Sequence, residues 1–176
     1  MDEPDEIRRC QQGDREVFRH LVERYQQRAL GHAMAILFNR DDAEDAVQEA
    51  FIDAFKAIKT FDTSRAFYPW FYVLLRNRCY KMTAGRQRTE SLDEAVLLAS
   101  KPGVADDTRL ALEKALRSLT REEREIVCLK YFSGLSYDDL AKHLQIPRGT
   151  VMSRLFYARR QLQRKLAGML IREQEV

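Results

Sequence analysis

Helical periodicity is the feature of this chain that most restricts its fold. Between Asp14 and Asn39, apolar residues follow the i, i+3, i+4, i+7 spacing that places them on one face of a helix. The 176 residues include only seven glycines and four prolines, so few positions interrupt such patterns. No segment alternates apolar and polar residues for long, as a half-buried strand would. The sequence therefore predicts an all-α protein.

Two further helices are predicted in the first half of the chain. The second helix is expected to begin with Asp41 or Asp42 as its N-cap, because acidic residues follow in its first turn. A loop over residues 61–67 leads to a third helix, with Pro69 in its first turn, where a missing N–H group is tolerated. This third helix is expected to extend to about Gln87.

A change of composition then divides the chain. Residues 89–108 contain a Pro-Gly pair and lean acidic, which is typical of a linker, and one helical turn is expected around residues 92–98. The sequence therefore predicts two small helical domains, residues 1–88 and 109–176, joined by this flexible linker.

The second domain is predicted to contain four helices, the first over residues 109–118. Thr120 and Glu123 have the spacing of a capping box that opens the second helix, and Ser136 caps a short third helix. The fourth helix begins within residues 147–150, and the break before it gives a helix-turn-helix pattern. Such pairs place their second helix in the major groove of DNA, although many helical hairpins pack in the same way without contacting DNA.

The charged residues are sorted into blocks, and this distribution is more informative than the net charge of +3. Residues 41–53 contain no basic residue, residues 65–88 contain no acidic residue, and every charged side chain within residues 142–172 is basic. Solvated helices usually mix signs, because opposite charges at i, i+4 attract. Two basic blocks in two domains predict two contacts along one polyanion, whereas the acidic block predicts contact with a basic protein surface.

Aromatic residues are concentrated in the first basic block. Arginines interleaved with aromatic residues suit stacking on unpaired bases. For Trp70, Phe71 and Leu74, which share one helical face, a place in the core is the favoured interpretation. A different face, for which DNA contact is favoured, carries Tyr72, Arg76, Asn77 and Tyr80.

The residue types that catalysis and metal binding need are scattered along the chain. The three cysteines and three histidines lack zinc-ligand spacing, and the sequence has no Gly-rich phosphate loop and no paired nucleophile and base. We therefore expect no enzyme activity, no metal and no cofactor. Widely spaced cysteines in odd number predict free thiols in the cytoplasm. The acidic N-terminus and the lack of a long apolar run predict neither a secretory signal nor membrane insertion.

Long stretches of the sequence resemble bacterial sigma factors. DAEDAVQEAF (42–51), followed by FYPWFYVLLRNR (67–78), resembles their promoter-melting domain, and residues 119–162 resemble their promoter-reading helix-turn-helix domain. The lack of a domain before or between these two resembles the extracytoplasmic-function (ECF) group of the sigma-70 type. The resemblance implies an alternative sigma factor, which binds core RNA polymerase, recognises and melts specific promoters, and directs transcription initiation.

The resemblance also implies roles for particular residues of the first domain. In the family, an acidic helix docks on the coiled-coil clamp of the polymerase, and the matching residues are Asp42, Glu44, Asp45, Gln48 and Glu49. The family's third helix and the loop before it open the minus-ten element and trap a flipped base. The residues assigned to that region are Phe61, Phe67, Tyr68, Trp70, Tyr72, Arg76, Asn77, Tyr80 and Lys81. Lys81 stands where the family often has Asp or Asn, and is expected to hold a phosphate.

In the second domain, the resemblance assigns minus-thirty-five recognition to the start of the last helix. The matching residues are Arg148, Thr150, Met152, Ser153, Arg154, Phe156 and Tyr157. Met152 and Tyr157 stand where arginine or lysine is common, and arginine is the usual reader of guanine. We therefore expect a less typical minus-thirty-five sequence, read partly through apolar contacts to thymine methyl groups.

Two other functions are compatible with parts of the sequence. A helix-turn-helix regulator that acts without core polymerase would explain the second domain, but it leaves the acidic helix and the aromatic helix unexplained. An adaptor would bind polymerase or an anti-sigma factor without starting transcription. The partners expected for a sigma factor are the clamp and flap of core polymerase, promoter DNA and an anti-sigma factor.

Overall fold

The structure is a computed structural model that describes residues 2–89 and 104–172, with the side chains of residues 2–84 and 110–167. Within these ranges every regular element is a helix, which confirms the all-α prediction. The chain divides into two compact units, with the division at residues 94 and 95. Most of the predicted linker, including the turn expected around residues 92–98, lies outside the described residues.

The described part of the first unit contains four α-helices. They are α1 (Glu3–Gln11), α2 (Arg15–Leu37), α3 (Arg40–Ala57) and α4 (Phe67–Thr89), with a 3₁₀ turn at Ile58–Thr60. Helix α1 was not predicted. The predicted start of α3 was also wrong: its N-cap is Asn39, whose side chain accepts a hydrogen bond from the Asp42 N–H group at 3.0 Å.

The core of the first unit lies between α2, α3 and α4. Alanines recur along the buried face of α3, and their small side chains let neighbouring helices approach closely; they are Ala43, Ala46, Ala50 and Ala54. Aromatic rings of α4 fill the remaining space, and the rings of Phe51 and Phe71 stack with their centroids 4.3 Å apart. This packing confirms that Phe71 belongs to the core, whereas Trp70 and Leu74 are only half-buried.

The described part of the second unit contains four further helices. They are α5 (Val104–Arg117), α6 (Arg121–Ser133), α7 (Tyr137–Leu144) and α8 (Arg148–Arg172). Helix α5 begins five residues before the predicted 109. The capping box is confirmed, because the Thr120 hydroxyl accepts from the Glu123 N–H group at 3.2 Å and the Glu123 carboxylate accepts from the Thr120 N–H group at 2.9 Å. Ser136 caps α7 as predicted.

Helices α7 and α8 form the predicted helix-turn-helix. Helix α7 is followed by its C-cap Gln145, whose left-handed backbone (φ 55°) turns the chain toward α8. Leu140 of α7 and Val151 and Leu155 of α8 are essentially inaccessible to solvent, and the two helices pack against each other. None of the helices within residues 2–89 and 104–172 is long and apolar enough to cross a lipid bilayer.

Candidate polymerase and nucleic-acid interfaces

An exposed acidic surface runs along the N-terminal half of α3. Its exposed members follow the spacing of one helical face, opposite the alanines of the core; they are Asp41, Asp45, Gln48 and Glu49. We call these four residues the acidic ridge. Asp42 and Glu44 flank it and are half-buried, with Glu44 paired to Arg40 at 2.7 Å. The structure thus brings the five predicted polymerase-binding residues together on α3.

Helix α4 is fastened beside the acidic ridge by Arg78. Its guanidinium donates two hydrogen bonds to the Asp53 carboxylate, at 2.6 and 2.7 Å, and lies 3.6 Å from Glu49. The hydrogen bond from Arg78 holds the pKa of Asp53 below its usual value. Arg78 therefore turns away from the rest of its basic block, toward α3. This ion pair was not predicted, although the sequence carries a signal for it: Asp53 is the last residue of the acidic block, and Arg78 lies in the basic block that follows.

A second exposed surface runs along α4. Trp70, Asn77 and Lys81 lie on one helical face, because they are seven and four residues apart. Asn77 and Lys81 are exposed, and Trp70 is half-buried. Arg76 and Tyr80 are half-buried on the flank of this face. We call Trp70, Asn77 and Lys81 the α4 face; it presents an aromatic ring, an amide and an ammonium group.

Four of the residues assigned to the minus-ten region are buried in the structure rather than exposed on the α4 face. Phe61, Phe67, Tyr68 and Tyr72 have relative exposures of 6, 0, 3 and 0%. Tyr72 is five residues from Asn77, about 140° around the helix, so it faces the core. There the ring centroids of Tyr72 and His32 are 4.7 Å apart, and the Tyr68 hydroxyl is hydrogen-bonded to His32 Nδ1 at 3.0 Å. The rings of Phe61 and Phe67 contact the Trp70 ring of the α4 face, with centroids 4.7 and 5.6 Å away.

The predicted minus-thirty-five residues lie in the first three turns of α8. Met152, Phe156 and Tyr157 are 51, 54 and 60% exposed, which is unusual for large apolar side chains on a helix. Ser153 is also exposed, and its hydroxyl donates to the Thr150 carbonyl oxygen at 3.1 Å.

Three more predicted residues complete this set. Arg148 is exposed and lies 3.4 Å from Asp138 of α7, while Thr150 and Arg154 are half-buried. A basic stretch follows further along α8, with Arg159, Arg160, Arg164 and Lys165 exposed. The exposed surface of α8 therefore begins with apolar and aromatic side chains and continues with positive charge, as expected of a helix that lies against a polyanion.

Comparison with known families agrees with this arrangement. A family model described as Sigma-70 region 2 matches residues 21–89, and one described as Sigma-70, region 4 matches residues 109–162. The first match contains the acidic ridge and the α4 face, and the second contains the helix-turn-helix. These two regions, in this order, define a bacterial sigma factor.

Similarity to individual proteins shows which group of sigma factors the chain resembles. The RNA polymerase sigma-H factor of Pseudomonas aeruginosa is 32% identical, over 93% of each chain. The ECF RNA polymerase sigma-E factor of Escherichia coli is 32% identical, over 94% of this chain and 95% of the relative. A solved structure of the sigma factor RpoE in complex with the anti-sigma factor NepR, from Bartonella quintana, superposes with a TM-score of 0.72 at 28% identity, covering 85% of this chain and 96% of that one.

The chain therefore belongs to the ECF group of sigma-70-type RNA polymerase sigma factors. Its function is to bind core RNA polymerase, to recognise and melt specific promoters and to direct transcription initiation. The alternative of a helix-turn-helix regulator that acts without polymerase is not favoured, because the match to region 2 accounts for the first unit as well as the second.

Proposed function

We propose that this sigma factor docks on core polymerase through the acidic ridge and contacts promoter DNA through the α4 face and the start of α8. Residues 1–88 and 109–176 act as two functional domains in the cytoplasm. The polymerase supplies all of the chemistry of RNA synthesis. The observation that carries the proposal is the separation of charge within one compact unit. The acidic ridge on α3 and the exposed amide and ammonium groups on α4 suit two different partners.

The acidic ridge is suited to a basic protein surface. Asp45, Gln48 and Glu49 are exposed within four residues of one another, and carboxylates facing DNA would be repelled by its phosphates. Ile52, one turn further along α3, is 45% exposed and offers an apolar contact beside the charges. Complementary charges of this kind favour correct encounter and register between two proteins.

The α4 face is suited to DNA that has lost its base pairing. The Asn77 amide carries both donors and an acceptor for a base edge, and the Trp70 ring can stack on an unpaired base. Lys81 supplies a positive charge for a neighbouring phosphate. Separating the strands of the minus-ten element requires energy, which such contacts offset only after the bases are exposed. The α4 face would therefore favour the melted promoter over the closed one.

The start of α8 is proposed to read the minus-thirty-five element in the major groove. Thymine alone presents a methyl group there, so the exposed side chains of Met152, Phe156 and Tyr157 favour sites that contain thymine. Arg148 and Arg154 remain available to guanine or phosphate. In the polymerase complex, this second unit is also expected to contact the flap.

An anti-sigma factor is the expected inhibitor. The relative RpoE is found in a solved complex with the anti-sigma factor NepR, and its fold matches 85% of this chain. We propose that a protein of the same class occludes the polymerase-binding surface of this chain until a signal releases it.

Charge reversal tests the docking proposal. In the double variant Asp45→Lys, Gln48→Lys, affinity for core polymerase is expected to fall by at least about tenfold, since like charges across an interface are penalised. The matched control is Glu23→Lys, Gln26→Lys, which makes the same change in charge at the same spacing on exposed positions of α2. If both double variants bind core polymerase as tightly as the unchanged chain, the acidic ridge is not the docking surface.

A further inference from the structure

Helix α1 contacts both ends of the loop that joins α3 to α4. It lies outside the residues matched by the region 2 family model, which begin at residue 21. At the first end of the loop, the Gln11 side chain amide donates to the carbonyl oxygens of Ile58, at 3.0 Å, and Phe61, at 2.8 Å. One NH₂ group thus uses both of its hydrogens to hold the chain as it leaves the 3₁₀ turn.

The other end of the loop is held by Glu3. Its carboxylate accepts a hydrogen bond at 3.1 Å from the N–H group of Phe67, the first residue of α4. Such N–H groups have no partner within their own helix, and a negative charge is favourable at a helix N-terminus. The same carboxylate accepts a hydrogen bond from the Tyr25 hydroxyl, which ties Glu3 to α2 as well.

Between these two attachments the loop is largely exposed, and hydrogen bonds within it close a turn. Asp62 organises its tip, because its carboxylate accepts from the Ser64 N–H group at 2.9 Å and from the Ser64 hydroxyl at 2.7 Å. Beneath the tip, the Phe61 ring packs on the half-buried Trp70 ring, with centroids 4.7 Å apart. A shift at Phe61 would therefore move both the loop and the aromatic end of the α4 face.

Helix α1 is itself firmly anchored. Ile7 and Cys10 are 1 and 3% exposed in the core, and the buried carboxylate of Glu6 pairs with Arg24 of α2 at 2.7 Å. Because α1 is fixed to the core in this way, it can hold the loop in one position, whereas a frayed terminal helix could not.

We propose that α1 is a clamp that sets the loop of residues 62–66 in the conformation that receives a single-stranded minus-ten base, with Gln11 as its positioning residue. The inference rests on the proposed role of the α4 face. Its physical basis is preorganisation, because a loop that is ordered before the DNA arrives loses less conformational entropy when it binds.

The test uses the full chain assembled with core polymerase and a promoter carrying an unpaired minus-ten region. Gln11→Glu keeps the size of the side chain but replaces the donating NH₂ group with an acceptor that faces two carbonyl oxygens. Gln12→Ala is the control, since Gln12 is the exposed neighbour. We expect Gln11→Glu to weaken capture of the unpaired region by at least about fivefold, with core affinity within twofold of the unchanged chain.

A local readout separates positioning from general damage. Trp70 is the single tryptophan of the chain and its ring packs on that of Phe61, so acrylamide quenching of the free protein reports on this contact between the loop and α4. Gln11→Glu is expected to raise the quenching, and Gln12→Ala is not. Unchanged capture by Gln11→Glu, or a loss of core affinity as large as its loss of capture, would overturn the clamp.

Asn77→Ala, included in the same series, distinguishes this failure from failure of the proposed function. If Asn77→Ala weakens capture while Gln11→Glu does not, the clamp alone is wrong. If neither variant weakens capture, the role of the α4 face is wrong, and the inference about α1 falls with it.

Discussion

At the scale of single residues, burial decides how the three cysteines behave. Burial raises the pKa of the Cys10 thiol to about 11 and those of Cys79 and Cys128 to about 12. The thiolate is the reactive form, so all three thiols are protonated and shielded under ordinary conditions. Cys79 lies in α4 but on its buried side, where an oxidant in solution does not reach it.

The folded protein is therefore expected to resist thiol reagents. At pH 8 a thiol with a pKa of about 11 is ionised to only about one part in a thousand. We expect no rapid reaction of the native chain with a disulfide reagent. After unfolding in denaturant, all three thiols should react, one equivalent of reagent for each cysteine. Rapid labelling of Cys79 in the native protein would show instead that α4 opens and that its thiol is available to redox signals.

A second prediction at this scale concerns the apolar side chains of α8. Replacing thymine with uracil removes only the C5 methyl group, worth about 0.8 kcal/mol or roughly fourfold in affinity for each methyl that becomes buried. We expect uracil in the minus-thirty-five element to weaken promoter binding by the polymerase complex to this extent, and uracil in the spacer to have no effect. Equal affinities for both templates would show that Met152 and Phe156 do not read thymine.

At the scale of secondary-structure elements, α3 and α4 are joined by the ion pair between Asp53 and Arg78. The hydrogen bond from Arg78 depresses the pKa of Asp53 in the folded state. A depressed carboxyl pKa contributes stability above the unfolded-state pKa of about 4, and this contribution is lost as the pH falls through the folded-state value. The pair should therefore stabilise the first unit at neutral pH and not in strong acid.

Chemical denaturation of Asp53→Asn across a pH series measures this contribution. The variant is expected to be less stable than the unchanged chain by up to about 1 kcal/mol at pH 7. The difference should shrink as the pH falls below about 4. Asp45→Asn, an exposed position on the same helix, serves as the control. A difference that does not change between pH 7 and pH 3 would mean that the effect of the substitution is not electrostatic.

Local signals explain which elements were predictable from sequence. The caps at Thr120 and Ser136 depend on residues three positions apart, so the sequence alone identifies them. Helix α1 was missed because its sequence is mostly polar. Its signals are nevertheless present, with Asp2 as N-cap, accepting from the Asp5 N–H group at 2.9 Å, and a proline in the first turn.

Long-range packing explains what the sequence could not predict at the candidate site. The aromatic residues of α4 are so dense that several faces of the helix are aromatic, and composition alone does not show which one is buried. Which face is buried depends on the neighbouring helices: His32 of α2 contacts both Tyr68 and Tyr72, so these two rings lie in the core. The exposed positions Asn77 and Lys81 were assigned to the surface correctly, because their side chains are polar.

At the scale of the whole molecule, two modest DNA-binding units are carried on one chain. A single helix-turn-helix makes few base contacts, each worth about 1–3 kcal/mol of discrimination, which is weak for finding one site in a genome. Attachment of both units to the polymerase makes the second contact effectively intramolecular once the first has formed. We therefore expect the free chain to bind promoters poorly, and gel-shift titration with and without core polymerase checks this. Nanomolar, promoter-specific binding by the free chain would contradict it.

The most direct test of the central claim is run-off transcription with core RNA polymerase, on promoters recovered from genomic DNA. The unchanged chain is expected to direct initiation. Asn77→Ala should reduce it about tenfold through loss of a base contact, while Gln26→Ala, at an exposed position of α2, should not. Failure of the chain to bind core polymerase would contradict its role as a sigma factor, and initiation by Asn77→Ala as strong as that of the unchanged chain would contradict the role of the α4 face.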